Sequence, residues 1–255
     1  MNVAVFDLET NGLAGSSVVS ASSIVFDAKG TILDIFNRFY LPAERVNPYA
    51  AEVHGLTVDR LTALRKHIHS TPYFIEDWPD LLDFWEDRGV YGVVVHNLPF
   101  DAAFLPELAQ NAVRWWCSMR GLTAYCAIPK RSSPRAQGPF KWPKLGEAVD
   151  IICNGPSALL PPDKTAYIEN AVGEASPHIS LFDCFELYRV VSRIGLHHKN
   201  LMEFKPFLTT FFPPPSPRRE AGITKRGAFS AAYEDPFISE ILAYERKVRS
   251  VIKKR

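Results

Sequence analysis

The chain opens on an apolar run that ends in two carboxylates spaced by one residue. Val3, Val5 and Phe6 lead into Asp7 and Glu9, and Thr10-Asn11-Gly12-Leu13 follows. β-Branched and aromatic residues favour extended backbone, so residues 2–7 read as a buried strand. Side chains at i and i+2 of a strand share a face. Asp7 and Glu9 therefore leave the strand's end side by side. Two anions held so close repel, and unless a cation intervenes one of them takes up a proton. A hard divalent ion such as Mg²⁺ or Mn²⁺ removes the repulsion by using both as oxygen ligands. Asn11-Gly12 then turns the chain sharply. A lone D-x-E at a strand end is commonly just a solvated pair, and a phosphatase-type D-x-D strand wants Asp where Glu9 stands. The case for a metal site therefore rests on what the rest of the chain adds.

At 255 residues the chain is long enough to bury one large core. Hydrophobic residues make up 47% and charged residues 22%, the balance of a water-soluble globular protein. The formal net charge of +1 gives no global attraction to nucleic acid, so any such attraction is local. Cys117, Cys126, Cys153 and Cys184 form no C-x-x-C pair, which argues against a zinc site or disulfide framework and fits a reducing cytoplasm. The first residues lack the basic and apolar blocks of a signal peptide. No apolar run approaches the ~20 residues a membrane span needs, so no membrane association is expected.

Residues 18–26 read as a second strand, Asp27 to Gly30 as a hairpin turn, and 31–40 as a third, antiparallel strand. A short helix follows Asn47-Pro48 and closes at Gly55, where His54 suits the negative end of the helix dipole. Thr57 caps the next helix, at 58–64. Leu81, Leu82, Phe84 and Trp85 give residues 76–87 an apolar helical face. Val90 to Val95 is a strand-length apolar run ending in His96-Asn97. Pro99 starts a helix at about 99–110 that carries Asp101 in its first turn. A short strand is expected at 115–117, and helices at 119–127 and 145–153. Residues 128–144 read as a basic loop, with Lys130, Arg131, Arg135, Lys141 and Lys144 among Phe140 and Trp142, and 154–176 as an insertion or flap. Apolar residues at 181, 184, 185, 188 and 191 recur at helical spacing, so a helix starts near 179, with His178 at its mouth and Asp183 further along. A Pro-rich linker at 196–217 then leads to a basic, helical tail at 218–255. The pattern is that of an α/β protein: a mixed central sheet with an antiparallel meander at its N-terminus, flanked by helices.

Four acids and a histidine thus stand at strand ends and helix mouths. In this order they resemble the DEDDh family of 3′-5′ exonucleases, DnaQ-like enzymes that include the proofreading epsilon subunit of DNA polymerase III, RNase T and oligoribonuclease. FDLETNGL is similar to the family's first motif, with Asp7 and Glu9; HNLPFDAAFL to the second, with Asp101; and His178-x4-Asp183 to the third. The Val53-His54-Gly55-Leu56-Thr57 segment is similar to a signature of the epsilon-like members. Over residues 1–195 the resemblance implies a ribonuclease H-like exonuclease domain. It implies two divalent ions, Mg²⁺ or Mn²⁺, held by Asp7, Glu9, Asp101 and Asp183, with His178 as the general base. Thr10 and Leu13 are expected to hold the terminal nucleotide, and His54 and Phe100 to pack against the last nucleotides. The activity implied is release of nucleoside 5′-monophosphates from the 3′ end of single-stranded DNA, in proofreading or repair. The resemblance does not cover the tail, which reads either as a segment that docks on a DNA polymerase or lies along DNA, or as a helix packed on its own domain through Ile241, Leu242 and Val248.

Three other readings follow from the same residues. One is a 3′-5′ exoribonuclease of the RNase T or oligoribonuclease type. Another is a non-catalytic, polymerase-associated nucleic-acid-binding subunit, which predicts a broken acid set where this one is whole. The third is a phosphoryl-transfer enzyme acting on small molecules, against which the basic loop with Phe140 and Trp142 argues.

Overall fold

The computed structural model describes residues 1–66, 71–130, 140–153, 161–197 and 201–207. Strand β1 (Asn2–Thr10) is followed by β2 (Val18–Phe26) and β3 (Ile32–Phe39), the antiparallel meander expected from the hairpin signal. Helices α1 (Pro48–His54), α2 (Val58–Leu64) and α3 (Phe74–Asp87) lead to β4 (Val90–Val95). Then come α4 (Leu98–Ala102), α5 (Glu107–Ala112), β5 (Arg114–Cys117), α6 (Ser118–Gly121) and α7 (Thr123–Cys126). Helices α8 (Leu145–Cys153), α9 (Pro162–Val172) and α10 (Ser180–His197) complete the order. The sheet runs β3-β2-β1-β4-β5, with β4 and β5 parallel to β1.

Alternation along β1 divides the interior into two layers. Ala4, Phe6 and Leu8 face one core with Phe84 and Trp85 of α3, where Phe6 and Trp85 meet edge to face at 5.4 Å. Val3 and Val5 face the other, with Ile24 and Phe26 of β2 and Leu187, Val190, Val191 and Ile194 of α10. The period of two carries Asp7 and Glu9 onto this α10 face. All nine residues of β2 are buried because helices cover both its sides.

The single helix expected over 99–110 is two, α4 and α5. Pro106 disfavours helical backbone at the residue before it and opens α5 instead. Within the expected insertion at 154–176, residues 162–172 are helical. Helix α9 buries only Ile168 and Val172, too sparse a stripe to stand out as a period. The expected linker at 196–217 is, over 201–207, part of the folded unit. Lys205 exchanges both backbone hydrogen bonds with Trp115 (2.8 and 3.0 Å), and Phe207 is buried. The tail at 218–255 and most of the basic loop, 131–139, lie outside the described residues. Among the described residues no helix is long and apolar enough to cross a membrane.

Candidate active site

The acids converge where β1 outlasts its parallel neighbour. Pairing of β1 with β4 stops at Val5, which leaves the Leu8 N–H without a strand partner. Asp101 takes that role: its Oδ1 accepts from Leu8 N at 3.1 Å. Asn97, between β4 and α4, adopts the left-handed conformation (φ 69°, ψ 49°), which Asn tolerates and which turns the chain into α4. Helix α10 brings Asp183 over the same strand end. Oxygens of Asp7, Glu9 and Asp183 all lie within 4.8 Å of one another.

These carboxylates perturb each other. Burial, then the charges of Asp101, Asp183 and Glu9, hold the Asp7 carboxyl well above its ordinary range. Glu9 is raised by burial and by Asp183 and Asp101. Burial and Asp183 raise Asp101 against the hydrogen bond from Leu8. Burial pushes Asp183 up to about 7, although the His178 N–H opposes it. The donor set is carboxylate oxygen only, and the charges that most raise Asp7 are the other three acids. Such a set suits a hard divalent cation.

His178 stands at the entrance to α10 with φ 64°, in the left-handed region that costs a bulky residue roughly 1–2 kcal/mol. Its backbone N–H donates to Asp183 Oδ2 at 3.2 Å, while the residue is exposed. Observed strain of this kind gathers at functional positions. The turn after Glu9 is tied down. Asn11, almost fully buried, donates to Glu44 Oε1 (2.9 Å) and Arg45 O (3.0 Å) and accepts from Asn47 N (2.8 Å). Glu44 also accepts from Ser17 N and Oγ. Thr10 Oγ1 donates within the turn to Gly12 O, and Leu13 projects from it 75% exposed. Phe100 is half-buried against Phe104, ring centres 5.4 Å apart. Both ring nitrogens of His54 are engaged within the protein. Thr10 O can only accept, so Nε2 donates to it (3.3 Å), and Nδ1 accepts from Leu56 N (3.0 Å). Buried and uncharged, His54 ties α1 to the end of β1.

A feature the sequence reading missed lies directly beside the acids. Ser22 and Ser20 of β2 pair with Asp7 and Glu9 and share their face. Ser20 Oγ and Ser22 Oγ lie 2.6 and 2.7 Å from Ser180 Oγ, the first residue of α10, and Ser22 Oγ donates to Asn37 Oδ1 at 2.9 Å. With the Ser22 proton committed to Asn37, Ser180 donates to Ser22 and Ser20 to Ser180. The three buried hydroxyls form a one-way chain that clamps the mouth of α10 to the sheet. Its signal was two serines at period two inside a strand otherwise fit for burial.

No family model and no curated sequence matches the chain. Among solved structures it is similar to that of a 3′-exonuclease in 3′-end-specific recognition of a histone mRNA stem-loop. There the TM-score is 0.53 at 10% identity, covering 80% of this chain and 66% of that one. A product-bound exonuclease I gives 0.50 at 14% identity, over 78% of this chain and 44% of that one. Exonuclease X in complex with 5′-overhanging duplex DNA gives 0.48 at 20% identity, over 76% and 92%. The chain thus spans less than half of that exonuclease I and about two thirds of the histone mRNA exonuclease. At such identities the likeness to the histone mRNA exonuclease and to exonuclease I establishes the fold alone, a ribonuclease H-like α/β fold.

Proposed function

We propose that this chain is a metal-dependent 3′-5′ exonuclease of DEDDh type. The observation that carries the reading is the meeting of Asp7, Glu9 and Asp183 within 4.8 Å, with Asp101 beside them and His178 at the rim. The fold shared with exonuclease structures supports it. Asp7, Glu9, Asp101 and Asp183 would hold two ions, Mg²⁺ or Mn²⁺, which supply positive charge to the oxygens of a phosphodiester under in-line attack. The chain's own residues do the rest. The carboxylates fix where that charge sits, and His178, exposed at the rim, removes the proton of the attacking water. The pinned turn sets Thr10 and Leu13 against the terminal nucleotide, and Phe100 packs beside it. His54, its nitrogens occupied, supports that turn. The product is a nucleoside 5′-monophosphate. Four unpaired cysteines, three of them buried, suit a reducing cytoplasm.

Single-stranded DNA is the preferred substrate, because the segment around His54 resembles epsilon-type enzymes, and proofreading or repair the setting. RNA is the second reading, favoured by the likeness to a histone mRNA exonuclease. Digestion of 3′- and 5′-end-labelled DNA and RNA oligonucleotides, with Mg²⁺ and with EDTA, tests both. Mononucleotide release from the 3′ end in Mg²⁺ alone is expected, faster on DNA, and Asp7→Ala should abolish it. Activity that survives Asp7→Ala would end the two-metal assignment, and faster RNA turnover would move the substrate to RNA.

A further inference from the structure

We propose that Trp142 is a stacking platform for an unpaired base of the single strand, a binding site separate from the acids. The proposal rests on the nuclease reading for its ligand but on different residues for its geometry. Trp142 is 58% exposed, unusual for so large an apolar ring. Yet its backbone is fixed on both sides. Phe140 bridges Pro129, and Lys141 N donates to Ile128 O at 2.9 Å. Glu147 holds both Lys141 Nζ (2.5 Å) and Lys144 N (2.8 Å). The carbonyl of the next residue, Pro143, accepts from His96 Nε2 at 3.1 Å, and His96 Nδ1 accepts from the Ser118 hydroxyl at 2.9 Å. Burial pushes His96 down to about 4, so this latch stays neutral and in one tautomer. The Arg120 guanidinium lies over the indole, 5.6 Å from its ring centre.

The platform's place follows from topology. β1, β4 and β5 are parallel, so their C-terminal ends share the end of the sheet from which Asp7 and Glu9 emerge. His96 directly follows β4, and Arg120 lies just past β5. Helix α8, which continues from Lys144, packs on α10, the helix that carries Asp183. Trp142 therefore sits on the same face as the acids and toward β5. At about 4.8 Å per strand, β5 lies on the order of 10 Å from β1. A strand whose 3′ end enters the acidic cluster can cross this distance and lay a base on the exposed indole. Arg120 adds positive charge to the stack, and exposed Lys144 stands near the backbone path.

The test is equilibrium binding of a fluorescein-labelled oligothymidylate to the full chain in EDTA, read by anisotropy. Trp142→Ala should weaken binding by about five- to hundredfold, the range of one lost base-aromatic stack. Trp142→Phe, which keeps a π face, should lose less. Affinity for an abasic deoxyribose-phosphate chain should be the same for wild type and Trp142→Ala. Equal oligothymidylate affinity of Trp142→Ala and wild type overturns the platform, as does an equal loss on the abasic chain. The nuclease reading is scored separately in Mg²⁺ or Mn²⁺. Binding that depends on Trp142 without digestion by wild type would sink that reading and leave the platform standing.

Discussion

Mg²⁺ should raise the melting temperature of this protein strongly at pH 8 and hardly at pH 5, and Asp7→Asn should cancel the response. Burial first, then the neighbouring acids, holds Asp7 and Glu9 above the ordinary carboxylate range, and Asp183 is pushed up to about 7. A carboxyl with a folded pKa above its unfolded one binds more protons folded than unfolded. The metal-free protein therefore loses stability as pH rises from the unfolded value, and the whole penalty is present above the folded value. For Asp183, going from 3.8 to about 7 at 1.36 kcal/mol per unit gives at most about 4 kcal/mol. Partial access of the carboxyl to water reduces that figure. A divalent ion competes with these protons for the same oxygens, so it meets occupied ligands at pH 5 and open ones at pH 8. At about 100 times its Kd an ion adds about 2.7 kcal/mol. For a domain of about 200 residues that is a rise of about 5–10 °C. Asp7 faces all three other acids, so Asp7→Asn should raise the metal-free melting temperature, worth about 1–2 kcal/mol at pH 8. Thermal melts monitored by circular dichroism, with Mg²⁺ or EDTA at both pH values, decide. A wild type indifferent to Mg²⁺ at pH 8, or a shift that survives Asp7→Asn, would refute the idea that these oxygens hold an ion.

His178→Ala should cut turnover by about 10²- to 10⁴-fold while leaving the Mg²⁺ melting shift in place, because the side chain and not the ion is lost. Ser180→Ala should cost about 1–3 kcal/mol in urea unfolding, since the Ser20 proton then has no acceptor in a buried site. Gly92→Ala should cost about 1–3 kcal/mol, because a Cβ there would lie 2.3 Å from the Phe204 ring and force that ring out of its place.

Periodicity carried most of the fold. The alternation of β1, the hairpin at Asp27 to Gly30, the caps at Gly55 and Thr57 and the stripe of α10 are local signals, and each stands where the sequence placed it. What escaped was set by tertiary contact. α9 has two buried residues and Trp115 pairs with Lys205 across the sheet edge, neither of which a short window reveals. The same division holds at the site. Asp7 and Glu9 were legible as a pair because strand geometry fixes i and i+2. Their meeting with Asp183 depends on how α10 lies on the sheet, and the partners of His54 and Ser180 depend on it further.

How α10 lies follows from the face it covers. On that face the first half of β1 and the second half of β2 present Val3, Val5, Ile24 and Phe26, and the opposite halves present Asp7, Glu9, Ser20 and Ser22. α10 matches this split along its length. Ser180, Asp183 and Cys184 lie over the polar half, where Cys184 Sγ donates to Ser22 O at 3.1 Å, and Leu187, Val190 and Ile194 lie over the apolar half. At the far end Tyr188 rests edge to face on Phe26 at 5.0 Å and bonds the Gly30 carbonyl. The apolar half supplies the burial that offsets the cost of packing three acids together at the other end. Sliding the helix by one turn, about 5.4 Å, toward its N-terminus would set Leu187 where Asp183 now stands, and the opposite slide would carry Asp183 over the valines. The same pattern that anchors the helix therefore also delivers Asp183 to Asp7 and Glu9.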